Sequence, residues 1–125
     1  MTYLSFSSNL LTSTIPSEIG LLTQLTLLSF DRNSLTSTIP SEIGVLTQLR
    51  QLYFESNSLT STIPSEIGLL TQLQELDFYG NALKGTIPSP LCSLVLLKGF
   101  IFIDCGEITC DAGCCYDGDT EFSCD

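Results

Sequence analysis

Fifteen residues, LTSTIPSEIGVLTQL at Leu35–Leu49, occur three times almost unchanged. Leu11–Leu25 and Leu59–Leu73 match each other fully and differ from this copy only in having Leu where position 45 has Val. A looser copy begins at Leu83. Asn9, Asn33, Asn57 and Asn81 set the period at 24 residues, and Pro16, Pro40, Pro64 and Pro88 keep it, as do Ile15, Ile39, Ile63 and Ile87. A fixed period of this length is the mark of a repeat architecture. Pro and Gly return in every copy, which forbids one long helix, and 24 is not a coiled-coil period.

The apolar residues fall into columns at the same spacing. Leu4, Leu28, Leu52, Leu76 and Phe100 form one; Phe6, Phe30, Phe54, Phe78 and Phe102 form a second. Leu22, Leu46, Leu70 and Leu94 form a third, with Leu25, Leu49, Leu73 and Leu97 beside them. The alternation in Leu28-Ser29-Phe30 predicts a short strand with Leu and Phe inward. No single unit can bury that face alone, so the units must stack as coils of a solenoid. Asn33 follows the strand at a turn. Its amide carries both donors and an acceptor, so the asparagine column predicts a ladder of bonds to backbone within and between coils. Cys105 is the next step of that column. Ile39 is held extended by Pro40. Ser41-Glu42-Ile43-Gly44 then predicts a short helical turn, started by Pro40, with Glu42 near its positive end and Gly44 ending it.

Written out as Leu22-x-x-Leu25-x-x-Leu28-x-Phe30-x-x-Asn33-x-Leu35-x-Ser37-x-Ile39-Pro40-x-x-Ile43-Gly44, the unit resembles the plant-type leucine-rich repeat, over about residues 3–104. One departure is Ser13, Ser37 and Ser61 where that family usually has Gly; Gly85 restores it. The resemblance implies an α/β solenoid, curved and right-handed. A parallel sheet would line its concave face, a second short sheet would run through the Leu-Thr-Ser-Thr segments, and helical turns would lie on the convex side. It also implies recognition on the concave face, as in receptor ectodomains and polygalacturonase inhibitors.

The two ends extend the expectation. The chain enters at Thr2-Tyr3-Leu4-Ser5-Phe6 already inside a strand, with no capping segment before it, so self-association through the uncovered first coil is expected, as is a longer parent protein. We divide the chain into repeats over 1–104, about four and a half coils, and an acidic cap over 105–125, with the repeat ending after Ile103. Cys92 stands alone, while Cys105, Cys110, Cys114, Cys115 and Cys124 crowd the end. Without His, and with spacings that make no two close ligand pairs, zinc is disfavoured. The cysteines read instead as disulfides stapling the cap in an extracellular, oxidising setting, with 15 pairings open. Residues 1–20 carry no secretory signal.

The formal charge is −10, from 14 acidic and 4 basic residues. Such a chain is a poor ligand for nucleic-acid phosphates and for anionic membranes, and no apolar run reaches the roughly 18 residues of a membrane span. Lack of His removes the usual general base and nucleophile-activating pair, so no enzyme, metal centre or cofactor is expected. Asp117, Asp119 and Glu121 alternate like part of a calcium loop but lack its remaining spacing.

Function is sought where the copies differ. Between the inward Leu and Phe, outward residues vary: Tyr3, Leu27, Gln51, Glu75 and Gly99; Ser5, Ser29, Tyr53, Asp77 and Ile101; Ser7, Asp31, Glu55, Tyr79 and Ile103; Ser8, Arg32, Ser56, Gly80 and Asp104. Of these, Leu27, Asp31, Arg32, Tyr53, Glu55, Glu75, Asp77 and Tyr79 are the candidate ligand-binding residues. Tyr rings beside carboxylates suit a protein or peptide with basic residues, or a glycan. The main alternative is a structural solenoid without a ligand of its own. A lesser one is ice binding: Thr12-Ser13-Thr14, Thr36-Ser37-Thr38 and Thr60-Ser61-Thr62 would form a flat Thr grid if both Thr of each copy point outward from a regular strand.

Overall fold

The computed structural model describes residues 2–94, 101–104, 108–109 and 122–124. In the first coil, β1 (Tyr3–Ser5) is followed by β2 (Thr12–Ser13) and a 3-10 turn at Ser17–Leu21. The second has β3 (Leu27–Ser29), β4 (Ser34–Ser37) and a 3-10 turn at Ser41–Val45. The third has β5 (Gln51–Tyr53), β6 (Ser58–Ser61) and a 3-10 turn at Ser65–Leu69. In the fourth, β7 (Glu75–Asp77), β8 (Ala82–Leu83) and β9 (Gly85–Thr86) lead to the one-turn helix α1 (Ser89–Cys92). Then come β10 (Ile101–Ile103), β11 (Ile108–Thr109) and β12 (Phe122–Cys124).

A parallel sheet runs β1-β3-β5-β7-β10-β12, and a second runs β2-β4-β6-β8. Pairing is coil on coil: Leu4 opposite Leu28, Leu28 opposite Leu52, Leu52 opposite Leu76. Leu28, Leu52 and Leu76 are fully buried, as are Leu25, Leu49 and Leu73. The Phe column forms a continuous stack, with ring centroids 5.4, 5.8 and 5.8 Å apart from Phe6 through Phe30 and Phe54 to Phe78. Burial of each such side chain contributes about 1.5–3 kcal/mol. Most of those contacts are to a neighbouring coil, so the stabilisation belongs to pairs of coils.

The asparagines do what their chemistry predicts. Asn57 donates from Nδ2 to the Phe30 carbonyl one coil back (2.9 Å) and to its own Phe54 carbonyl (3.1 Å), and its Oδ1 accepts from the Leu35 N–H (3.1 Å). Asn33 and Asn81 repeat the set. Asn9 bonds only within its own coil, to the Phe6 and Ser7 carbonyls.

Three details depart from expectation. Gly44 does not end its turn: it lies inside Ser41–Val45, where a Cβ would stand 2.7 Å from the Glu66 carbonyl oxygen of the next coil. Its role is close approach of coils. Ser13, Ser37 and Ser61 sit in left-handed backbone at φ 70, 68 and 69°, where Gly85 also lies at φ 94°. The family's Gly column is thus a real conformational requirement, met here by serine at a cost of about 1 kcal/mol per residue.

The third is a register shift. Ile101 pairs with Leu76 and Phe102 with Asp77, an offset of 25 rather than 24. A one-residue slip turns every side chain to the other face. Ile101 and Ile103 are therefore buried, and Phe102 is exposed, the reverse of the columns drawn from the period. Beyond β10, Ile108–Thr109 pairs with Gly85–Thr86 in a separate two-stranded sheet, and Ile108 joins the core. The last strand, Phe122–Cys124, adds to the concave sheet against β10. Cys105, Cys110, Cys114 and Cys115 lie outside the described residues, as do the side chains of Cys92 and Cys124, and with them the expected disulfides.

Candidate functional site

The concave face presents two rows of outward side chains in register and a third just past the strand ends. Tyr3, Leu27, Gln51 and Glu75 are one row. Ser5, Ser29, Tyr53, Asp77 and Phe102 are the second, continued in backbone by Ser123. Beyond the strand ends the ladder carries on, with the Ser8, Arg32 and Ser56 N–H groups donating to the carbonyls of Asp31, Glu55 and Tyr79, each at 2.8 Å. That brings Asp31, Glu55 and Tyr79 side by side. The shifted register adds Asp104 to this row and takes it out of the Arg32 column.

Arg32 itself stands apart. Its backbone is left-handed (φ 56°), like that of Ser8, Ser56 and Gly80, so it belongs to the turn beyond the sheet, where it is exposed.

The carboxylates divide by what they already hold. Asp31 is engaged at both oxygens: Oδ1 accepts the Glu55 N–H (2.9 Å), and Oδ2 accepts the hydroxyl of buried Ser29 (3.2 Å). Asp104 accepts the Gly80 and Asn81 N–H groups at 3.2 and 3.0 Å. Glu75 accepts the Tyr53 hydroxyl and, at 3.4 Å, Gln51 Nε2. Asp77 uses only Oδ1, for the Tyr79 N–H at 2.9 Å. Its Oδ2 and the Glu55 carboxylate have no hydrogen bond among the described residues.

Crowding of acids on a half-buried surface shows in their titration. Burial, followed by the charges of Glu55, Asp31 and Asp104, pushes Asp77 up to about 6. Burial also raises Asp31, against the hydrogen bonds from Glu55 and Ser29 that pull it down. Burial and then the bond to the Glu75 carboxylate raise Tyr53, which stays a neutral donor. An ionised Asp77 thus sits half-buried among like charges, and added positive charge would relieve it.

The period hid Phe102. Two equally apolar alternations, Phe100/Phe102 and Ile101/Ile103, share the same few residues. Asp104, 25 residues after Tyr79, is the one polar marker that favours the shifted register. Among the described residues no group of three or more His, Cys, Asp or Glu could hold a metal, and no described helix is long and apolar enough to cross a membrane.

The Thr-Ser-Thr segments are exposed, but they do not form a regular strand grid. The left-handed serine breaks the alternation at Ser37 and Ser61. Thr36 and Thr60 donate their hydroxyls to the Ser13 and Ser37 carbonyls at 3.3 and 3.4 Å. At the first-coil end of the solenoid lies an apolar cavity of about 450 Å³, lined among others by Leu4, Phe6, Leu11, Ile15, Ile19 and Leu22.

Stacked parallel strands, an asparagine ladder and a phenylalanine spine define a leucine-rich repeat solenoid. The chain belongs to the Leucine Rich Repeat family, whose sequence model matches residues 1–22, 24–46, 48–70 and 72–94. No curated protein matches it. Among solved structures it is similar to the BIR3–SERK2 complex from Arabidopsis thaliana, at 38% identity and TM-score 0.70 over 73% of this chain and 49% of that one. It is similar to the Arabidopsis receptor kinase HAESA ectodomain in complex with an IDA peptide hormone ligand, at 28% identity and TM-score 0.74 over 83% of this chain and 21% of that one. It is also similar to a plant ice-binding protein, at 28% identity and TM-score 0.75 over 88% of this chain and 35% of that one. The chain spans about half or less of the length of each.

Proposed function

We propose that this chain is a non-catalytic recognition module that binds a polypeptide on its concave sheet, outside the cell. The observation that carries the reading is one patch on β5, β7 and their ends: Tyr53 stands in register with Asp77, Tyr79 lies beside Glu55, and Asp77 Oδ2 and the Glu55 carboxylate are open among the described residues. Aromatic rings with charged neighbours on a rigid surface are the usual composition of a binding hot spot. The similarity to a receptor ectodomain held with a peptide hormone supports both the polypeptide ligand and the extracellular setting. A polypeptide is favoured over a glycan because the net charge of −10 selects for a basic ligand.

The test is selection of a random phage-displayed dodecapeptide library on the 125-residue chain, followed by affinity measurement of synthetic binders. Replacing Tyr53, Glu55, Asp77 and Tyr79 together, by Ala, Gln, Asn and Ala, is expected to weaken binding at least a hundredfold while far-UV circular dichroism stays unchanged. Binding that survives the quadruple change refutes the concave-face reading.

A second reading, ice binding, is favoured by one surface and one relative. Thr14, Thr38 and Thr62 are exposed in successive coils, with no hydrogen bond to their hydroxyls among the described residues, and the plant ice-binding protein shares the solenoid. Only these second threonines carry the reading, since the first of each pair is tied to backbone in the second and third coils. Ice recrystallisation inhibition by the chain, lost on Thr38→Lys, is the expected sign; its absence in the unaltered chain ends this reading.

A further inference from the structure

We propose that the row Tyr53–Asp77–Phe102 is a subsite for an arginine side chain of the bound polypeptide, with the guanidinium seated over the Asp77 carboxylate between the two aromatic residues. The inference rests on the concave-face reading and names the chemistry that face selects.

Three adjacent strands build the row. Tyr53 pairs with Asp77, and Asp77 with Phe102. At about 4.8 Å between strands, the two aromatic residues stand about 10 Å apart with the carboxylate midway. A cation placed over Asp77 then lies one strand spacing from each aromatic residue, comparable with the roughly 6 Å at which a ring attracts it. Phe102 is 40% exposed, although Ile101 and Ile103 on either side are buried, so the sheet holds its ring out while the strand itself is fixed. Asp77 offers Oδ2 because Oδ1 alone takes the Tyr79 N–H.

The surroundings set the sign of the ligand. Among the described residues, the charged groups that act on Asp77 are Glu55, Asp31 and Asp104, all acidic. Arg32, a described base nearby, acts on Asp31 from its exposed turn. A metal ion is a poor alternative, because among the described residues Asp77 has no converging partners of the number a metal needs. A neutral sugar is also poor, because the Tyr53 hydroxyl is already given to Glu75. Arginine fits better than lysine. Its planar, weakly hydrated guanidinium can pair with a carboxylate and stack on rings at once, whereas an ammonium is a compact and strongly hydrated point charge.

The experiment uses the dodecapeptides selected on the unaltered chain. Arginine is expected to be enriched among them. In a synthetic binder, Arg→Lys at the enriched position is expected to weaken binding about tenfold, as is Asp77→Asn in the protein. Phe102→Leu keeps an apolar side chain at an exposed position and is expected to weaken the arginine peptide about two- to fivefold, with little effect on the lysine version. Circular dichroism and urea midpoints verify that both variants fold. If binders lack arginine, or ignore Asp77→Asn and Phe102→Leu yet fail on the quadruple variant, the subsite is wrong and the concave-face reading stands. If they ignore the quadruple variant as well, or if no peptide binds, both are wrong.

Discussion

Replacing Asn57 by Ala tests the internal logic of the solenoid. The amide makes three good hydrogen bonds: to the Phe30 carbonyl at 2.9 Å, to the Phe54 carbonyl at 3.1 Å and from the Leu35 N–H at 3.1 Å. Phe30, Phe54 and Leu35 are all buried, at 4%, 0% and 4% exposure, so water cannot readily replace the lost partner. With each bond worth about 1 kcal/mol net, and more where a buried group is left unpaired, the loss is about 3 kcal/mol. Asn9→Ala is the built-in control. Asn9 is exposed and bonds only to the Phe6 and Ser7 carbonyls of its own coil, so its loss should stay below about 1 kcal/mol. Urea unfolding followed by far-UV circular dichroism measures both. With a slope of about 2 kcal/mol/M, Asn57→Ala lowers the midpoint by about 1.5 M and Asn9→Ala by less than about 0.5 M. Equal shifts for the two variants would refute the claim that the ladder acts by tying coil to coil.

Other expectations follow from single residues. Ser37→Gly relieves a left-handed serine and should raise stability by about 0.5–1 kcal/mol, read as a higher urea midpoint; a lower midpoint would show that Ser37 carries no strain. Asp77 is raised from 3.8 to about 6, so the folded chain takes up a proton between those values that the unfolded chain does not, and stability should rise as pH falls from about 6 to about 4. Because Asp77 is only half-buried, the gain is about 1 kcal/mol, and Asp77→Asn, which keeps the acceptor for the Tyr79 N–H, should be more stable at pH 7 and lack that part of the pH slope. Matching slopes in both proteins would contradict it. Finally, the apolar surface of the first coil should make the 125-residue chain associate with itself, so its sedimentation coefficient should rise with concentration; a single monomer value at all concentrations would exclude this.

The sequence by itself determined everything that depends on translation from coil to coil. Stacking demands that like residues sit on like, so a 24-residue period with Leu, Phe, Ile and Asn in fixed columns leaves one way to bury Leu28, Leu52, Leu76 and the Phe spine. It also placed Tyr53 and Asp77 on one face, because side chains of a strand alternate, and set Glu55 and Tyr79 one period apart just beyond them. Tertiary structure decided what depends on competition. In the fifth coil two apolar alternations overlap, and pairing with Leu76 and Asp77, with the Asp104 carboxylate on the Gly80 and Asn81 N–H groups, goes with burying Ile101 and exposing Phe102. It decided too which acids are free. Asp31, Glu75, Asp77 and Asp104 look alike in sequence, but three are held by donors at both oxygens and only Asp77 keeps one oxygen open beside exposed aromatic carbon. A period can specify which residues stack; only the folded backbone fixes which donors each carboxylate meets.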